Sequence, residues 1–86
     1  MLYENVEKKL MEIFNENGLF IDDKNELLQD YFPDSLVFVS IIVGIEEAFE
    51  LELPDEMLLI ENMGTFNTLL ERIILLVKYK ETSSNL

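Results

Sequence analysis

The chain has 86 residues, 49% of them hydrophobic, with 18 Asp and Glu against 6 Lys and Arg, no His, no Cys and a formal charge of -12. That length holds one core and excludes a second domain, while the missing His and Cys exclude Ser-His-Asp and Cys-His catalysis, thiolate nucleophiles, disulfides and zinc sites built on sulfur or imidazole. The acidic balance repels nucleic acid and anionic lipid headgroups and turns the expectation toward basic protein surfaces.

Within about Glu4–Asn15, Val6, Leu10, Ile13 and Phe14 recur at spacings of four, three and one, which predicts an amphipathic helix. Asn17-Gly18 supplies a left-handed residue and ends it. Leu19–Phe32 reads as a long loop with a short helical turn, pinned to the core by Leu19, Ile21, Leu27, Leu28, Tyr31 and Phe32. Pro33 disfavours a helical Phe32, and Asp34 or Ser35 can cap the amides that follow, so a second helix starts there. At about 100° per residue, Phe38, Ile41, Ile42, Ile45 and Phe49 form its inward side; Ser35, Leu36, Val39, Ser40, Val43, Glu46, Glu47 and Glu50 form its outward side.

Pro54-Asp55-Glu56 opens a short third helix, with Asp55 capping Met57–Ile60, and Asn62-Met63-Gly64 ends it. Thr65 caps a last helix whose stripe is Phe66, Leu69, Leu70, Ile73, Leu76 and Val77, and Lys78 and Lys80 suit the negative end of its dipole. The polar residues 81–86 read as a flexible tail, leaving a single domain over 1–80. Glu4, Glu7, Glu12 and Glu16 are incompatible with a secretory leader at the start of the sequence. The longest apolar run, Leu36–Ile45, is interrupted by Ser40 and Gly44 and falls short of the roughly 20 residues of a membrane span. A cytoplasmic location and no stable membrane insertion are therefore expected.

Between Lys24 and Arg72 the sequence carries no basic residue, so the anionic field is concentrated on its middle. Asp34-Ser35-Leu36 places a hydroxyl at a helix start, with Leu36, Val39, Val43, Glu46 and Glu47 along the same outward side. A helix N-terminus stabilises a bound or covalently held phosphate through its free amides and dipole, which makes Ser35 a candidate attachment point; an ordinary N-cap is the plainer reading of the tripeptide alone. Asp22-Asp23-Lys24-Asn25-Glu26 lacks the Gly and the alternating ligand spacing of an EF-hand.

Taken in order, Asp34-Ser35-Leu36, Ile45-Glu46-Glu47-Ala48-Phe49, Leu51-Glu52-Leu53-Pro54-Asp55-Glu56 and Glu61-Asn62-Met63-Gly64-Thr65-Phe66 make a sequence that resembles the acyl and peptidyl carrier proteins. The resemblance implies an all-α, four-helix bundle with a long loop between helices 1 and 2 and a short helix 3. It implies that Ser35 carries 4′-phosphopantetheine, attached by a phosphopantetheinyl transferase, with Asp34 and Leu36 beside it. The arm's thiol would hold an acyl or aminoacyl group as a thioester, so the protein would carry and not catalyse.

Val39, Val43, Glu46 and Glu47, with Leu36, fall where the family docks its partners: the transferase, an acyl- or aminoacyl-loading enzyme and downstream transferases with basic surfaces. Tyr31-Phe32-Pro33 stand where the family usually has a Gly before the motif Asp, Phe38 and Ser40 occupy positions often polar or acidic in fatty-acid carriers, and Gly44 sits mid-helix. These differences point to a specialised polyketide, nonribosomal peptide, D-alanyl or similar pathway. An unmodified carrier-like adaptor is the alternative. Phe38, Phe49, Phe66 and Met63 are most simply core, though by resemblance the space between helices 2 and 3 could admit part of an attached acyl chain. A monomer is expected, with the outward Leu36, Val39 and Val43 equally able to support self-association.

Overall fold

The computed structural model describes residues 2–84, with side chains described through residue 80. The first helix, α1, spans Leu2–Glu16 and buries the four residues that its spacing selects, Val6, Leu10, Ile13 and Phe14. It ends in two linked turns. The Leu19 amide donates to the Phe14 carbonyl at 2.9 Å and the Gly18 amide to that of Asn15 at 3.0 Å, with Gly18 at φ 81°. This closure needs a left-handed residue at position 18, where glycine has no Cβ to clash.

The second helix, α2, spans Ser35–Phe49. Asp34, extended at φ -162°, accepts a hydrogen bond from the Val37 amide at 3.0 Å and so forms the N-cap. Phe38, Ile41, Ile42 and Ile45 are buried, each stabilising the fold by roughly 1.5–3 kcal/mol relative to exposure, and Phe49 is half-buried. The last helix, α3, spans Phe66–Ser84. The Thr68 amide donates to Thr65 Oγ1 at 3.1 Å while the Thr65 amide donates to Thr68 Oγ1 at 2.9 Å, a reciprocal cap. It continues past position 81, where the tail is expected to begin; residues 85 and 86 of that segment lie outside the described residues.

The described residues are helical with no named strand; a lone antiparallel bridge joins Leu27 to Thr65. They contain three α-helices. In place of the expected short third α-helix there are two 3-10 turns, Asp55–Leu58 and Ile60–Asn62, separated by an extended Leu59 at φ -111° and ψ 130°. Asp55 does not cap: the N-terminal position is Pro54, whose carbonyl accepts the Met57 amide at 2.8 Å. The inward residues explain the departure. Met57 and Met63 are buried and Ile60 packs against the core between them, at intervals of three, which suits 3-10 turns better than the 3.6-residue α period.

α1 packs against both α2 and α3. Gly44 makes the first of these contacts close, because a Cβ built there would stand 3.0 Å from Ile13 Cγ2. The C-terminal end of α1 and the starts of α2 and α3 meet in an aromatic cluster. Phe14 lies 5.8 Å edge-on to Phe66 and 6.3 Å from Phe32, and Phe32 lies 5.8 Å edge-on to Phe38. Such contacts contribute roughly 0.5–1.5 kcal/mol each beyond the burial itself.

The long loop is pinned as expected by the buried Leu19 and Leu28 and the partly buried Ile21, Tyr31 and Phe32, but Leu27 is exposed. Leu27 belongs to the bridge with Thr65, and the neighbouring Leu28 amide donates to the Gly64 carbonyl at 2.8 Å. The attachment there is made by backbone, so the side chain is not needed to hold it.

Candidate functional site

Ser35 is the first residue of α2 and is exposed, as are Asp34, Leu36, Val39, Val43 and Glu47. Along the helix these residues form a continuous outward side, and Leu36 is 76% exposed, an unusual cost for leucine. Asp34 binds the Val37 amide and fixes the helix start; the amides of a first turn have no intrahelical acceptors, so they are oriented toward whatever sits at the helix mouth. Leu58 and Leu59, 40% and 50% exposed on and beside the first 3-10 turn, are further outward apolar residues. The sequence signal for them was the apolar run Met57–Ile60, of which a single helical face could bury only part.

Glu46 differs from Glu47. It is half-buried, and its Oε2 accepts the Leu53 amide at 2.9 Å, tying the body of α2 to the segment that leads into the 3-10 turns. Leu53 itself is buried, so its amide has poor access to water as a substitute acceptor. Sequence spacing sets both glutamates on the outward side; it does not reveal that the chain folds back over one of them.

The far end of α2 is held by cations from the neighbouring helices. Lys9 Nζ donates to the Ala48 carbonyl at 3.4 Å and lies 5.5 Å from the centre of the Phe49 ring, and Lys80 Nζ donates to the Phe49 carbonyl at 3.3 Å and to that of Glu50. These contacts complement the negative end of the helix dipole although α2 has no basic residue in its own last turn.

Before the motif, Tyr31 ties the loop together. Its hydroxyl donates to Asp22 Oδ1 at 2.7 Å, lies 3.2 Å from Glu26 Oε2 and accepts the Asp23 amide at 3.3 Å. The hydrogen bond to Asp22 pushes the phenol up to about 12, helped by burial and by Glu26 and opposed by the Asp23 backbone. Because the folded value lies above the ordinary 10, the stabilisation is present below pH 10 and is lost as pH rises from 10 toward 12. In an alkaline absorbance titration at 295 nm, one of the three tyrosines is expected to ionise near pH 12, and Tyr31→Phe should remove that step. If the late step persists in Tyr31→Phe, the loop hydrogen bonds are assigned to the wrong residue.

The family model described as phosphopantetheine attachment site matches residues 5–73, a span that includes the capped helix start, the exposed hydroxyl and the 3-10 turns. This defines a covalent carrier. The sequence is similar to the acyl carrier protein of Wolinella succinogenes, 27% identical over 55 residues that make up 64% of this chain and 72% of that protein. It is likewise similar to an acyl carrier protein of Helicobacter pylori, 33% identical over 55 residues covering 64% of this chain and 70% of the relative. No solved structure matches. The chain belongs to the acyl carrier protein family; it is a carrier and not an enzyme, and its prosthetic group is covalently attached 4′-phosphopantetheine. Carrier proteins of this kind interact with enzymes such as transferases. Among the described residues no helix is long and apolar enough to cross a membrane.

Proposed function

We propose that Ser35 is the attachment residue and that the chain presents an acyl or aminoacyl group to partner enzymes in a specialised pathway of the polyketide, nonribosomal peptide or D-alanyl-transfer kind. The observation that carries this reading is the exposed Ser35 at the N-terminus of α2, with Asp34 already committed to the cap. A phosphate on Ser35 would lie at the positive end of α2, where free amides and the dipole favour negative charge. Of the described residues, Ser35 would hold the group, Asp34 would hold the turn, and Leu36 would offer apolar contact beside it.

Attachment forms a bond from Ser35 Oγ to the phosphorus on the pantetheine side of coenzyme A as the pyrophosphate bond breaks. The hydroxyl proton passes to a base on the transferase and adenosine 3′,5′-bisphosphate leaves. The attached arm supplies the thiol that holds the cargo as a thioester, chemistry the cysteine-free chain lacks. Val39, Val43 and Glu47 form the surface a basic loading enzyme or downstream transferase would meet. Tyr31-Phe32-Pro33, Phe38, Ser40 and Gly44 support the specialised assignment, because they depart from what fatty-acid carriers usually have at these places.

Incubation with a broad-specificity phosphopantetheinyl transferase and coenzyme A is expected to add one phosphopantetheine by mass, and Ser35→Ala to abolish the gain completely while melting as wild type does. Absence of any gain, under conditions that modify a control carrier, would favour the unmodified adaptor.

A further inference from the structure

The end of the bundle away from Ser35 is left unfinished. A cleft of about 330 Å³ opens there between the start of α1, the end of α2 and the later turns of α3. α2 has 15 residues, so this cleft is about 22 Å along the helix from Ser35. Leu2, Phe49 and Val77 form its apolar wall, and each is only partly buried, so carbon surface there still faces water. The volume is at the lower end of the roughly 300–1,000 Å³ of small-molecule sites.

Two cations stand over that wall. Lys9 and Lys80 line the cleft, and neither has a carboxylate within ion-pair distance among the described residues, although acidic residues outnumber basic ones 18 to 6. Lys9 gives one hydrogen bond, to the Ala48 carbonyl, and Lys80 gives two, to those of Phe49 and Glu50. Each ammonium has three N–H donors, so both keep donors unspent. Glu50 is the single carboxylate among the lining residues, which leaves the cleft locally positive in a chain of net charge -12.

We propose that this cleft binds a small apolar carboxylate: a free molecule with one anionic head and a short hydrocarbon tail, separate from any group carried on Ser35. The head accepts the unspent donors of Lys9 and Lys80 in charge-assisted hydrogen bonds, and the tail covers Leu2, Phe49 and Val77. Neither half suffices alone. A bare anion meets the repulsion of the whole chain with no burial to offset it, and an uncharged tail brings apolar surface against two ammonium groups while leaving their donors unused.

Hexanoate is the probe, titrated into the unmodified chain while side-chain methyl resonances are followed by NMR, with hexanol and acetate as its two halves. Saturable shifts are expected at Leu2 and Val77 and not at Leu36 or Val39 beside Ser35, with a dissociation constant of about 1 mM, the scale for a ligand of this size. Hexanol and acetate are each expected to bind about tenfold more weakly. The double variant Lys9→Gln, Lys80→Gln keeps amide donors near the α2 carbonyls and removes both charges. It should weaken hexanoate about tenfold and leave hexanol unchanged, a difference that loss of the fold would not produce. Should that variant fail to fold, the comparison of the three probes on wild type still decides. Shifts that do not saturate up to about 20 mM, hexanol binding as tightly as hexanoate, or shifts centred on Leu36 each overturn the proposal, and none of these outcomes bears on modification of Ser35.

Discussion

Glu47→Lys should slow modification at Ser35, and loading of the arm, on the order of tenfold while leaving the thermal midpoint within about 2 °C of wild type. Glu47 is exposed on the outward side of α2, and on the proposed docking surface its reversal would place a cation where a basic enzyme is to approach. The effect falls on encounter more than on residence. Glu46 will behave otherwise. Its carboxylate accepts the Leu53 amide at 2.9 Å, so Glu46→Ala leaves a poorly hydrated donor without its acceptor, costing about 1–3 kcal/mol. Glu46→Gln keeps an acceptor oxygen in place and should recover much of that stability. Sequence spacing alone gives the two glutamates one role and an intact fold on reversal; the contact with Leu53 separates them. Urea unfolding of the three variants, run beside modification rates, checks this, and equal stability for Glu46→Ala and wild type would refute the structural role of Glu46.

Gly44→Leu is expected to destabilise the bundle by roughly 3 kcal/mol, lowering its midpoint by more than about 10 °C. A Cβ at position 44 already stands 3.0 Å from Ile13 Cγ2, so a leucine side chain must displace Ile13 at the α1–α2 contact even where its branched end turns toward the cleft that Gly44 also lines. Gly44→Ala is a finer probe. The roughly 1 kcal/mol gained from helix propensity opposes the squeeze on Ile13, and the net change should lie within about 1 kcal/mol of zero. Denaturant midpoints measure both. A Gly44→Leu variant as stable as wild type would mean that the two helices do not approach as closely as described.

The elements readable in the sequence were those set by one local cause each. Phe14 and its partners at helical spacing, Gly18, Asp34 and Thr65 acted within a few residues of themselves, and the structure places them where the periodicity and cap chemistry predict. In the third element the sequence signals an α-helix, because Asp55 resembles a cap and Met57–Ile60 a helical turn, while the structure has 3-10 helix there, shaped by three anchors packing on the core at intervals of three. Glu46 on Leu53, Lys9 and Lys80 on the end of α2, and Asn67 Nδ2 on Asn25 Oδ1 at 2.8 Å join residues distant in sequence, in the last case by 42 positions. No spacing rule reaches that far. For the candidate site, Asp34-Ser35-Leu36 supplied the helix mouth, but the ring of Phe32 behind it became visible only with Phe14 and Phe38 in place.

The capture of α2's last carbonyls by Lys9 and Lys80, with Lys24 held at Glu7 and Arg72 at Glu56, has a consequence for range. Lys24, Lys80 and Arg72 are occupied elsewhere, and Lys9, which lines one cleft with Glu47, is committed to the Ala48 carbonyl, so much of the field on that side of α2 is left to be damped by dissolved ions. Its reach follows the Debye length, about 30 Å at 0.01 M ionic strength and about 8 Å at 0.15 M. On the proposed docking surface a basic enzyme would be oriented before it touches in dilute buffer; in a crowded electrolyte it would be guided only over the last few ångströms, with departure correspondingly unhindered.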